Sequence, residues 1–130
     1  MKNSLLALLI FILITACLFA KPDELIMLTP HELHQIMQTQ DVFLVDVHVP
    51  EQHHIKGTDL FVPFHKINKN LDKFPQDKRT PIYLYCKSGP MGNAAAKTLF
   101  ESGYKEIYNL QGGKDAWLDA GYGVRPSPFL

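Results

Sequence analysis

The chain has 130 residues, with 13 basic and 13 acidic side chains, six histidines and a formal net charge of zero. That length allows one domain, and an apolar content of 46% with mixed charges suits a globular fold. No charge excess directs the chain toward nucleic acid.

Met1-Lys2-Asn3-Ser4 is a short positive start, and Leu5 to Phe19 is almost entirely apolar. Residues 1–20 therefore read as a secretory leader. Within it, Ile14-Thr15-Ala16-Cys17 resembles a bacterial lipobox, in which cleavage precedes the cysteine and Cys17 becomes the lipidated first residue. Cleavage after Ala20 and an uncleaved anchor are the alternatives, the apolar run being shorter than the roughly 20 residues that span a bilayer. Each version exports the domain. The lipidated one places it in the periplasm, attached to a bacterial membrane through Cys17. Once Cys17 is acylated or removed, Cys86 is the remaining thiol, and no intrachain disulfide can form. A lone cysteine in an oxidising compartment points to chemistry rather than stapling.

Residues 21–24 are a polar connector, and a domain is expected over 25–121. Leu25 to Leu28 is a short strand candidate. Thr29-Pro30-His31-Glu32 is a helix start, with Thr29 as N-cap, Pro30 first in the helix and Glu32 closing a capping box. Leu33, Ile36 and Met37 then form one apolar face. His31 and His34 share a side of that helix, but spacing supplies no third metal ligand and the pair reads as a solvated face. Val42 to Val45 is a continuous apolar run, as in a strand buried on both faces, and Asp46 ends it. Val47-His48-Val49-Pro50-Glu51-Gln52-His53-His54-Ile55-Lys56-Gly57 follows. Its adjacent histidines point in different directions, which argues against a metal site.

Leu60 to Val62 is a strand ended by Pro63. His65 to Phe74 is expected to be a short helix burying Ile67, Leu71 and Phe74, and 75–81 a polar loop. Ile82-Tyr83-Leu84-Tyr85 is a run of β-formers, and Ala94 to Phe100 reads as a helix closed by Gly103. Between them lies Cys86-Lys87-Ser88-Gly89-Pro90-Met91-Gly92. Cys86 thus stands at a strand's end, where ligands bind in open parallel sheets. Loop N–H groups and the positive end of the next helix converge there, which favours a thiolate or another anion. Lys87 adds a positive charge. Glu106 to Leu110 is another strand, Gln111-Gly112-Gly113 a turn, and Lys114 to Ala120 a last helix with Trp117 in the core and Gly121 as cap. Residues 122–130, with two prolines, read as an extended tail. Strands and helices alternate, which predicts an α/β fold: a parallel sheet of about five strands with helices on both faces.

Three of these stretches resemble the rhodanese (sulfurtransferase) family. Cys86-Lys87-Ser88-Gly89-Pro90-Met91 resembles its active-site loop, with the cysteine, a following base and a glycine at the fourth position. Asp46, Glu51, His54, Ile55 and Gly57 match a second segment, and Gly112-Gly113 with Ala116-Trp117 a third. Two departures stand out: Met91 replaces the arginine of many members, and His48 stands where an arginine is usual. The resemblance implies a rhodanese-like fold and transfer of sulfane sulfur through a persulfide on Cys86. The donor would be a small sulfur-containing anion such as thiosulfate, or a persulfide. The acceptor would be cyanide or a thiol. Lys87, Ser88, Gly89, Pro90, Met91 and Gly92 would form the substrate loop. Asp46 and His48 would support it, Asp46 chiefly by capping loop N–H groups. The resemblance calls for no metal and no organic cofactor, and a monomer is expected. A catalytically weak rhodanese-like binding or sulfur-relay module is the alternative. A phosphatase or arsenate reductase of the same fold would carry an arginine six positions after its cysteine. Gly92 stands there instead, so nothing clamps a tetrahedral dianion.

Overall fold

The computed structural model describes residues 23–126. The leader with Cys17, the first half of the connector and the end of the tail lie outside the described residues. The strands are β1 (Ile26–Leu28), β2 (Phe43–Asp46), β3 (His54–Ile55), β4 (Leu60–Phe61), β5 (Ile82–Tyr85), β6 (Ile107–Leu110) and β7 (Val124–Arg125). The helices are α1 (Pro30–Thr39), α2 (Pro90–Glu101) and α3 (Gly113–Asp119), with a 3-10 segment over Phe64–Lys73. Five strands form one sheet in the order β1-β6-β5-β2-β4. Every pairing in it is parallel. This is the α/β architecture expected from the sequence.

The period of two along β5 sorts its side chains onto two cores. Tyr83 and Tyr85 join Leu28, Leu33, Leu44, Leu110 and Trp117 on one face, beneath α1 and α3. Ile82, Leu84 and Cys86 join Val45, Ile67, Phe74, Ala95, Ala96 and Leu99 on the other, beneath α2 and the 3-10 segment. Leu44, Ile82, Leu84 and Leu99 are at most 1% exposed, and such burial stabilises by roughly 1.5–3 kcal/mol per side chain. Thr29 caps α1 as expected, its Oγ1 accepting the Glu32 N–H at 3.2 Å.

Three local expectations need correction. The predicted helix over 65–74 is a 3-10 segment, broken at Asn70, whose φ of −127° is not helical. Ile67 is buried and Phe74 packs beside it, so the apolar spacing found the right core residues with the wrong helix type. Helix α2 begins at Pro90 rather than Ala94, so Pro90, Met91 and Gly92 form its first turn and the loop after Cys86 is only Lys87, Ser88 and Gly89. Finally, the extended residues after Gly121 return to the core. Val124 and Arg125 pair antiparallel with Ile55 and His54, and the Trp117 indole N–H donates to Gly123 O at 3.0 Å.

Candidate active site

Because β5 is central, its C-terminal end is flanked by the chain leaving β2 and β6. Cys86 follows β5 directly and is 2% exposed. Gly89 turns the chain back over it. Its N–H donates to Cys86 Sγ at 2.9 Å. The turn requires φ of 130° and ψ of −44°, a conformation that favours glycine. Pro90 then opens α2, where its missing N–H leaves no helical bond unmade. The remaining N–H groups of that first turn have no partner within the helix and lie at its positive end.

The loop is held from the side by α3. Lys114 N donates to Cys86 O at 2.8 Å, and Asp115 N to Lys87 O at 3.0 Å. Gly113, with φ of 61°, lets the two segments touch: a Cβ there would fall 2.5 Å from the Lys87 carbonyl carbon and oxygen. The Lys87 side chain reaches back to Asp115, Nζ to Oδ2 at 2.8 Å, with both side chains about half exposed. Its charge is thus shared with a carboxylate. Ser88 is exposed. Met91 is half-buried and packs against the core cluster that contains Cys86.

Asp46 is buried at the end of β2. It accepts the His48 N–H at Oδ1 (3.0 Å) and meets His54 Nδ1 at Oδ2 (2.7 Å). Glu51 meets the other nitrogen of His54 at 2.8 Å. His54 is therefore tied into the fold, while His53 is exposed and offers its carbonyl to Lys114 Nζ at 3.0 Å. Lys114 also reaches Gln52 Oε1 at 2.9 Å, and burial pulls its ammonium below its usual range. His48 is buried with no partner on Nδ1. Burial pushes its imidazole below the ordinary value, with Asp46 opposing and Lys114 and Lys87 adding to the effect. Among the described residues no group of three or more His, Cys, Asp or Glu could hold a metal ion. His31 and His34 lie elsewhere, against Tyr122: His31 Nδ1 is 3.2 Å from its hydroxyl, and the His34 ring stacks on it at 4.1 Å.

Sequence reasoning missed Asn109, Asp115 and Lys114 as neighbours of the loop. Asn109 left a signal, a polar residue in the otherwise apolar-aromatic run Ile107-Tyr108-Asn109-Leu110. The other two are surface-type residues on α3, and only the fold brings them to Cys86.

A buried sulfur with a backbone N–H fixed on it is an arrangement suited to nucleophilic chemistry at sulfur. The rhodanese-like domain family matches residues 29–120. A sulfurtransferase of Allochromatium vinosum is 32% identical over 89 residues, covering 67% of this chain and 81% of its own length. A rhodanese-related protein of Thermoplasma volcanium superposes with a TM-score of 0.64 at 19% identity, over 76% of this chain and 96% of that one. A Rhodopseudomonas palustris protein of unknown function, described as a possible tyrosine phosphatase, gives 0.65 at 22% identity, over 78% and 85%. At those identities the two structures establish the fold alone. Family and curated relative together make the chain a member of the rhodanese family, with a sulfurtransferase-type role.

Proposed function

We propose that the protein moves sulfane sulfur through a persulfide on Cys86. The Cys86 thiolate attacks the outer sulfur of thiosulfate. A new S–S bond forms, the bond from that sulfur to the sulfonate sulfur breaks with its electron pair leaving on sulfur, and sulfite departs. Cyanide, or a thiolate in its place, then takes the outer sulfur. The Cys86 thiolate is restored, with thiocyanate or a new persulfide as product. Neither step requires a metal or an organic cofactor.

The observation that carries this reading is the Gly89 N–H set 2.9 Å from Cys86 Sγ at the mouth of α2. A persulfide is anionic, and fixed donors stabilise it without reorganising; each charge-assisted bond contributes roughly 1.5–3 kcal/mol. The half-buried Met91 makes the mouth more apolar than an arginine would.

Intact mass of the purified domain after thiosulfate should rise by one sulfur atom, and cyanide should then release thiocyanate. Cys86→Ser should abolish both and leave the fold intact, the change being nearly isosteric. Wild-type turnover in Cys86→Ser, or no sulfur gained from any sulfane donor, would leave an inactive binding module as the better account. With no arginine at Met91 or Gly92, turnover of an aryl phosphate should be negligible beside that of thiosulfate.

The same reading has the domain work outside the cytoplasm as a monomer, held to a membrane by lipid on Cys17. A fatty-acid probe should label the wild type and not Cys17→Ser. Equal labelling, or none in either, would favour simple cleavage or an uncleaved anchor.

A further inference from the structure

Asn109 is fully buried in β6, where an apolar residue would fit the two-sided sheet. Its side chain points to the α2 face, since Asn109 pairs in register with Leu84. Nδ2 donates to Gly89 O at 3.1 Å and to Asn93 Oδ1 at 2.8 Å. Gly89 O also receives the Asn93 N–H at 3.2 Å. The carbonyl of the residue whose N–H meets Cys86 Sγ is therefore held from β6 and from α2 together. Oδ1 is buried with no hydrogen-bond partner. The amide thus spends its hydrogen bonds at one end only, on Gly89 and Asn93.

Gly92 completes the arrangement. An ideal Cβ there would lie 2.2 Å from Asn109 Oδ1 and 2.6 Å from its Cγ and Nδ2. Helix α2 can sit this close to the amide because position 92 has no side chain. The two glycines thus serve one geometry: Gly89 turns, and Gly92 leaves room for the residue that fixes the turn.

We infer that Asn109 is a positioning residue for Cys86: by pinning the Gly89 carbonyl it keeps the Gly89 N–H on the sulfur. The inference deepens the sulfur-transfer reading and rests on it for the meaning of Cys86, but its test does not require sulfur transfer. The Asn109 amide bonds Gly89 O and Asn93 Oδ1, and acts on the sulfur only through Gly89. Its effect is on the orientation of a glycine that has no side chain of its own to hold it.

The test is alkylation of Cys86 by iodoacetamide in a Cys17→Ser background, so that one thiol reacts. Asn109→Ala should slow alkylation near neutral pH several-fold and move its rate profile toward higher pH, because the thiolate loses an oriented donor. In the thiosulfate assay kcat should fall with KM little changed, since the donor acts on charge at the sulfur rather than on binding. Gly92→Ala should give the same profile by displacing the amide. The double variant should be no worse than either single one, because both remove one arrangement. Where Asn109→Ala does not fold by circular dichroism, Asn109→Ser provides the smaller cut. A folded variant with the wild-type alkylation profile overturns the inference, as do additive effects of the two substitutions. A profile that shifts as expected in a protein that never accepts sulfur upholds this inference and sinks the sulfurtransferase reading alone.

Discussion

Gly113→Ala tests whether α3 clamps the Cys86 loop through a contact that only glycine permits. Two costs add. The residue sits at φ of 61°, and a side chain in the left-handed region costs about 1–2 kcal/mol. The new Cβ would also stand 2.5 Å from Lys87 C and O and 2.6 Å from Cys86 O. These are backbone atoms at the base of the loop and cannot swing aside as a side-chain tip would. Overpacking of this kind costs about 1–3 kcal/mol. Gly121→Ala is the matched control, since φ is 86° there and nothing lies within 4 Å of the added carbon. It should lose the conformational part alone. Gly113→Ala should therefore unfold about 1–3 kcal/mol more easily than Gly121→Ala in urea, and melt at least ~4 °C lower in a domain of this size. Relief of the clash must pull Cys86 O from Lys114 N and Lys87 O from Asp115 N. Thiosulfate turnover per folded molecule should then drop in Gly113→Ala and persist in Gly121→Ala. Equal stability losses in the two variants would refute the clamp.

Lys87 and Asp115 share one exposed ion pair, so Lys87→Ala should cost under about 1 kcal/mol of stability. The same variant should raise KM for thiosulfate, whereas Asp115→Asn, which frees the ammonium, should lower it; steady-state kinetics at low ionic strength check both directions. His48 is held below its ordinary 6.5 by burial, so the unfolded chain takes up a proton more readily than the folded one. Its contribution to stability is full above about 6.5 and is lost as pH falls toward the folded value. Urea unfolding of the wild type and of His48→Gln between pH 7 and 5 should show the smaller acid loss in His48→Gln.

Much of this fold could be read from local pattern. The apolar runs that became β2, β5 and β6 and the Thr29 cap are decided within a few residues of chain, and so is the place of Cys86 after β5. The start of α2 was misjudged because Gly92 looks like a helix breaker. It lies inside the helix because Asn109, 17 positions on, fills the space a side chain would take. Propensity cannot report a contact of that range. The pairing of β3 with β7 was hidden for the same reason: two strands of two residues each leave no periodicity to detect. The sequence shows the positive charge of Lys87 but not its pairing with Asp115, which depends on where Gly112 and Gly113 aim α3. Thus the place of Cys86 could be found from sequence, while the residues that hold its loop could not.

These contacts bear on how the proposed site would meet an anion. Pro90 contributes no N–H, Met91 no charge, and Lys87 a charge already paired with Asp115. What remains on the sulfur is the Gly89 N–H, at the positive end of α2. Its strength depends on direction far more than a cation's does, because a dipole turned away stabilises nothing. A loop of three residues could not fix that direction alone. It is fixed from outside, by α3 on the carbonyls of Cys86 and Lys87, and by β6 on the carbonyl of Gly89. Both helix starts follow strands adjacent in the sheet, β5 and β6. The parallel order of those strands is therefore what sets two helix N-termini around one cysteine.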